Sequence, residues 1–202
     1  MSGTAISGRA SARDICSKGH HSSDVDRLLV IGIGNVLLGD EGAGVHAARR
    51  LAGRVGRREG LRILDGGTLG FALAPEIAFC DALIVLDAAE LGAEPGAVRC
   101  LIDADMDRHL GGTRRSVHEV GLLDLMDIAR LSGTLPRRRA LIGIQIQAVE
   151  WRDGLCSSVD RGVDAAVSLS LQLLEEWSKV PGHGAHADTC GRNRLAPRDT
   201  SP

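Results

Sequence analysis

Three short apolar runs, each stopped by glycine or an acid, constrain this chain most. Residues 28–33 read LLVIGI and run into Gly34. Residues 61–64 read LRIL and end in Asp65-Gly66-Gly67-Thr68, and residues 82–86 read ALIVL and end at Asp87. Runs this short, rich in Ile, Val and Leu and closed by turn residues, read as buried strands rather than buried helices. The segments between them have a different period. Ala43–Val55 reads as a helix, and residues 71–79 as a short helix carrying Pro75. Residues 119–131 are amphipathic, with Asp124, Asp127 and Arg130 on one face. Residues 97–102 give a further strand. Residues 140–149 alternate Ile142, Ile144 and Ile146 with Gly143, Gln145 and Gln147, the pattern of a half-buried strand. A last helix carries Val159, Val163, Val167, Leu171, Leu174 and Trp177. Buried strands separated by helices predict an α/β fold: three layers, a mostly parallel twisted sheet with helices on both faces.

The length of 202 residues suits one domain with a substantial core. Aromatics make up 2% of the chain and tyrosine is absent, so Leu, Ile, Val and Ala must build that core. The net charge of −2, with scattered Lys and Arg, argues against nucleic acid as a partner. No apolar run approaches the roughly 18 to 20 residues that span a bilayer, so no membrane segment is expected. Residues 1–26 have no apolar stretch of the kind a secretory signal needs. Five cysteines, far apart and without a CxxC pair, argue for a reducing compartment; the expectation is a cytoplasmic protein. Residues 1–26 and 181–202 lack hydrophobic periodicity and read as disordered tails around a single α/β domain at 27–180.

Ligands of an open parallel sheet bind beyond the carboxyl ends of its strands. This sequence places Asp40 and Glu41 after the first strand, Asp65 after the second and Asp87 after the third. Clustered carboxylates repel one another unless a cation or a proton sits among them. His118, before the amphipathic helix, would add a nitrogen donor, and two carboxylates with an imidazole suit zinc or nickel. Blander roles stand beside these. Glu41 can complement a helix N-terminus, Asp65 can shape a turn, Asp87 can cap the next segment and His118 can be a surface residue. A dinucleotide site fits less well. Its fingerprint needs a third glycine where this chain has Leu37, and Gly32 and Gly34 read instead as a tight backbone bend. Cys80 and Cys100 sit in apolar surroundings and read as core or edge residues rather than nucleophiles.

The segments VIGIGNVLLGDEGAGV, ILDGGTLG, IVLDAA and SVHEVGLLDLM, in that order and spacing, resemble the nickel-iron hydrogenase maturation proteases. The resemblance covers about residues 28–178. It implies that Glu41, Asp87 and His118 contact metal and that Asp65 is the further acid implicated in activity. It also implies an endopeptidase that removes a C-terminal extension from a hydrogenase large-subunit precursor. The nickel would be the precursor's own, with no organic cofactor. Hydrolysis would then proceed by metal polarisation of the scissile carbonyl or of water, or with Asp65 as general base. The chain departs from the family in its longer tails, and in Ile146 where the family's GxQP segment has proline. Two other readings compete: a non-catalytic nickel-binding assembly factor with the same ligands, and a nucleotide-binding α/β enzyme.

Overall fold

The computed structural model describes residues 27–68, 70–112 and 117–179, the last segment with side chains from residue 121. The tails expected to be disordered lie outside the described residues. Five strands form one sheet: β1 (Leu28–Ile33), β2 (Leu61–Gly67), β3 (Ala82–Ala89), β4 (Val98–Ile102) and β5 (Arg138–Gln145). Their spatial order is β2-β1-β3-β5-β4. The first four pair in parallel, and β4 runs antiparallel along the far edge against β5. The sheet is therefore mostly parallel, as its apolar runs require.

Helices cover both faces, and β1 shows why. All six of its residues are buried, and they alternate between two cores. Leu28 and Val30 join one core with α1 (Ala43–Val55) and α5 (Ser157–Lys179). Leu29, Ile31 and Ile33 join the other with α2 (Ala74–Phe79), α3 (Ala104–Leu110) and α4 (Val117–Leu131). On α4 the residues Leu122, Leu125, Met126 and Ala129 turn inward, while Asp124, Asp127 and Arg130 stay exposed. On α5, Val159, Val163, Val167, Leu174 and Trp177 are buried at helical spacing.

The structure differs from the sequence reading in four respects. β2 extends past residue 64 through Asp65 to Gly67, and β3 likewise runs past residue 86 through Asp87 to Ala89, so both acids stand within their strands. The short helix at 71–79 is a 3-10 turn, Phe71–Leu73, followed by α2 with Pro75 in its first turn, where the missing N–H costs nothing. α3 was not expected; it buries Met106 and Leu110 on a helix too short to show a period. The fourth is β5, which spans Arg138–Gln145 and is buried on both faces from Ala140 onward. Its alternation does not mark a solvent face, because the polar-looking positions are filled otherwise. A side chain at Gly143 would meet Ala89 and Leu91 at 3.1 and 3.3 Å. The Gln145 side chain, 5% exposed, accepts hydrogen bonds from the Leu91 and Ala93 N–H groups at 2.7 and 3.3 Å. It thereby pins the loop leaving β3.

Candidate active site

Parallel pairing brings the carboxyl ends of β1, β2 and β3 to one edge. Gly32 lies opposite Asp65 on one side and opposite Leu86, the neighbour of Asp87, on the other. The chain leaves β1 between the two acids. Gly34 makes the bend at φ 139°, and a side chain there would meet the Glu41 carbonyl oxygen at 2.0 Å. The Asn35 carboxamide accepts the Leu37 N–H at 3.0 Å, and Gly39 at φ 61° leads into a 3-10 turn at Asp40–Gly42 that carries Glu41. Glu41 is half-buried at the start of α1.

Gly32 does not serve the bend expected of it. It is an extended strand residue, and an added Cβ would sit 2.3 Å from the Gly44 carbonyl oxygen and 2.5 Å from the Ala48 Cβ. Gly44 in turn lies against the carbonyl oxygens of Leu86 and Ile33. These two glycines let α1 press onto β1 and β3, so the glycine-rich loop serves helix-to-sheet packing and the placing of Glu41.

Asp40, beside Glu41, is a structural clasp. Its carboxylate is 1% exposed. It accepts hydrogen bonds from the Cys156 N–H at 2.7 Å and the Gln147 N–H at 3.3 Å, and from the Arg152 guanidinium at 3.0 Å. Burial pushes the Asp40 carboxyl up, but these donors together outweigh it and hold it below the ordinary carboxylate value. The loop after β5 is tied to the β1 exit a second time, by bridges between Leu38 and Arg152 and between Gly39 and Val149. Sequence reasoning placed Asp40 among the acids of the edge without seeing this role. Its signal, a buried acid matched to an arginine 112 residues away, has no local period.

Asp65 and Asp87 turn to opposite faces. Strand alternation puts Asp65 with Ile63 on the α1 side. There Arg49 of α1 donates to its Oδ2 at 2.7 and 3.2 Å, while its Oδ1 accepts the Gly67 N–H at 3.0 Å. The Asp65 side chain is 40% exposed. Asp87, between Leu86 and Ala88 of the α1-side core, points to the layer of α2, α3 and α4 and is 1% exposed. His118 is the second residue of α4, on that same layer; its side chain lies outside the described residues. Among the described residues no three His, Cys, Asp or Glu side chains form a metal-holding group. The acids expected to crowd one another are thus divided, with arginines matched to Asp40 and Asp65 and a separate face given to Asp87.

Comparison with known proteins decides what this edge belongs to. Residues 45–173 match the family model described as hydrogenase maturation protease. The chain is 36% identical over 157 residues to the hydrogenase expression/formation protein HupD of Bradyrhizobium diazoefficiens, covering 77% of this chain and 82% of that one. This chain belongs to the hydrogenase maturation protease family. It is also 34% identical over 151 residues to the hydrogenase 2 maturation protease of Escherichia coli K12, covering 74% of this chain and 92% of that one. The fold superposes on the E. coli hydrogenase maturating endopeptidase HybD with a TM-score of 0.70 at 33% identity, covering 75% and 93% of the two chains. As a maturation protease, the chain is an endopeptidase, and neither the nucleotide-binding nor the non-catalytic reading is needed. Among the described residues no helix is long and apolar enough to cross a membrane.

Proposed function

We propose that this maturation protease removes the C-terminal extension of a nickel-iron hydrogenase large-subunit precursor, and that it recognises the nickel already seated in that substrate. Glu41, Asp87 and His118 hold the ion. The observation that carries the reading is the placing of Asp87. A carboxylate 1% exposed at the carboxyl end of an apolar strand, on the layer where α4 brings His118, binds a divalent cation with little competition from water. The donor set supports the ion, since two carboxylates and an imidazole suit nickel. Three protein donors leave coordination positions for the precursor's own ligands, so the metal bridges enzyme and substrate. The nickel supplies a Lewis acid next to the scissile bond. The protein operates in the cytoplasm, where nickel insertion into the precursor precedes cleavage.

Asp65 is assigned the proton-accepting role, its half-open carboxylate lying at the end of β2 beside the β1 exit. Its ion pair with Arg49 favours a second reading, in which Asp65 fixes α1 to β2 and so positions Glu41. The variant Arg49→Met separates the two. Loss of the arginine releases the carboxylate and spares a base, whereas it removes a positioning contact.

The test is mass spectrometry of the nickel-loaded precursor before and after incubation. Wild-type enzyme should shorten it. Glu41→Gln, Asp87→Asn and His118→Ala should leave it intact while keeping wild-type circular dichroism. Normal processing by any two of these variants refutes the ligand set. Efficient cleavage of metal-free precursor by chelator-stripped enzyme refutes the role of nickel.

A further inference from the structure

Single exposed apolar side chains are ordinary, but a contiguous group beside a reactive edge marks a binding surface. Leu37, Val149 and Trp151 are 60%, 54% and 82% exposed. They come from two segments more than a hundred residues apart in sequence, which the fold lays side by side. The parallel bridge between Leu38 and Arg152 sets Leu37 next to Trp151, and the antiparallel bridge between Gly39 and Val149 brings in the third residue. The Gly39 N–H donates to the Arg152 carbonyl at 3.2 Å, and the buried Asp40 carboxylate locks the same two segments from below. The group is therefore held on a fixed backbone. It is continuous with the candidate active site, because the turn that bears Leu37 is the turn that bears Glu41, whose N–H donates to the Leu38 carbonyl.

We propose that Leu37, Val149 and Trp151 form the docking surface for an apolar segment of the large-subunit precursor, holding it while the neighbouring carboxylates act. This rests on the function proposed above. The occupant follows from position and charge. A surface continuous with the Glu41 turn is covered by whatever occupies the active site. The adjoining cation, Arg152, is committed to Asp40 at 3.0 Å and to Glu150 at 3.3 Å, so the grip it leaves to the partner is apolar rather than ionic. Trp151 is the anchor, since a tryptophan buries the largest area on binding and is the residue type most enriched among energetic hot spots.

The chain contains two tryptophans, and the other, Trp177, is 6% exposed in the core. Enzyme labelled with 5-fluorotryptophan therefore gives two fluorine resonances. Titration of unlabelled nickel-loaded precursor into labelled Asp65→Asn enzyme, which keeps all three proposed metal ligands, should move or broaden the Trp151 signal and leave that of Trp177 in place. In cleavage kinetics, Trp151→Ala should raise KM at least tenfold with kcat nearly unchanged, and Trp151→Phe should recover most of the loss. Phe79→Ala serves as control: Phe79 is 69% exposed but stacks under Arg27 at the opposite edge, just before β3, and its removal should alter neither constant. An unmoved Trp151 signal, or an unchanged KM for Trp151→Ala, overturns the docking surface while wild-type processing stays intact. A Trp151 signal that shifts with enzyme concentration alone overturns it in favour of a second copy of this chain. Failure of wild-type enzyme to shorten the precursor overturns the proposed function and this inference with it.

Discussion

Two glycines of α1 should respond to the same substitution with opposite signs. Gly44→Ala adds a methyl group whose carbon falls 2.2 Å from the Leu86 carbonyl oxygen and 2.3 Å from that of Ile33, where ordinary contact begins at 3.4 Å. Both neighbours are backbone atoms of central strands, so no side chain can swing aside. Relief requires α1 to lift from the sheet by about an ångström. Overpacking of this kind costs about 1–3 kcal/mol, and immovable backbone on two sides puts this site at the upper end. The helix-propensity gain of alanine, at most about 1 kcal/mol, does not offset it. A net loss of about 2 kcal/mol should lower the melting temperature by roughly 4–8 °C in a domain of this size. Gly53→Ala lies on the same helix with nothing within 4 Å of the added carbon. There the propensity term acts alone, and stability should rise by about 0.5–1 kcal/mol. Thermal and urea unfolding followed by circular dichroism measure both. The Gly44 variant should lose precursor processing as well, because Leu86 precedes Asp87, and Ile33 precedes the glycine that packs on Glu41. A Gly44→Ala protein that melts at or above the wild-type temperature would refute the reasoning.

Two further outcomes follow from other buried groups. Asp40→Ala should cost about 2–4 kcal/mol in urea unfolding, since it leaves the Cys156 and Gln147 N–H groups without their acceptor and takes one of two carboxylate partners from the half-exposed Arg152 guanidinium. Asp40→Asn, which keeps an acceptor for Cys156, should cost about 1–3 kcal/mol; a loss below about 1 kcal/mol for the alanine variant would deny the clasp. Burial pushes the Cys80 thiol up to about 12, so at pH 8 it stays protonated in the folded protein. Iodoacetamide followed by peptide mass mapping should modify partly buried Cys156 well before Cys80, with the difference vanishing in urea; equal native rates would contradict the assignment.

The fold class was legible because it depends on local patterns. An apolar run such as LLVIGI can be satisfied only between two helical layers, and the helical periods that supply those layers stand between the runs. Glu41, Asp65, Asp87 and His118 were singled out as candidates by the motifs around them. Parallel topology then required the strand-end acids to share one edge. Where reading failed, the deciding contact was remote. Gly143 and Gln145 looked like the wet face of a strand. They are buried because Leu91 and the loop after β3 fold over them, and nothing near β5 in sequence announces that cover.

From the sequence alone came the layers and the strand ends at which the acids stand. These follow from the period of burial, which each segment carries within itself. The tertiary structure alone decided how the acids divide. Strand parity and the position of α1 set Asp65 against Arg49 on one face and turned Asp87 to the other. The pairing of Asp40 with Arg152 made one acid a clasp and left its neighbour Glu41 half-buried in the turn after β1. Charge neutralisation depends on distance in space, and residues 112 positions apart in the chain acquire a distance only when the sheet has formed.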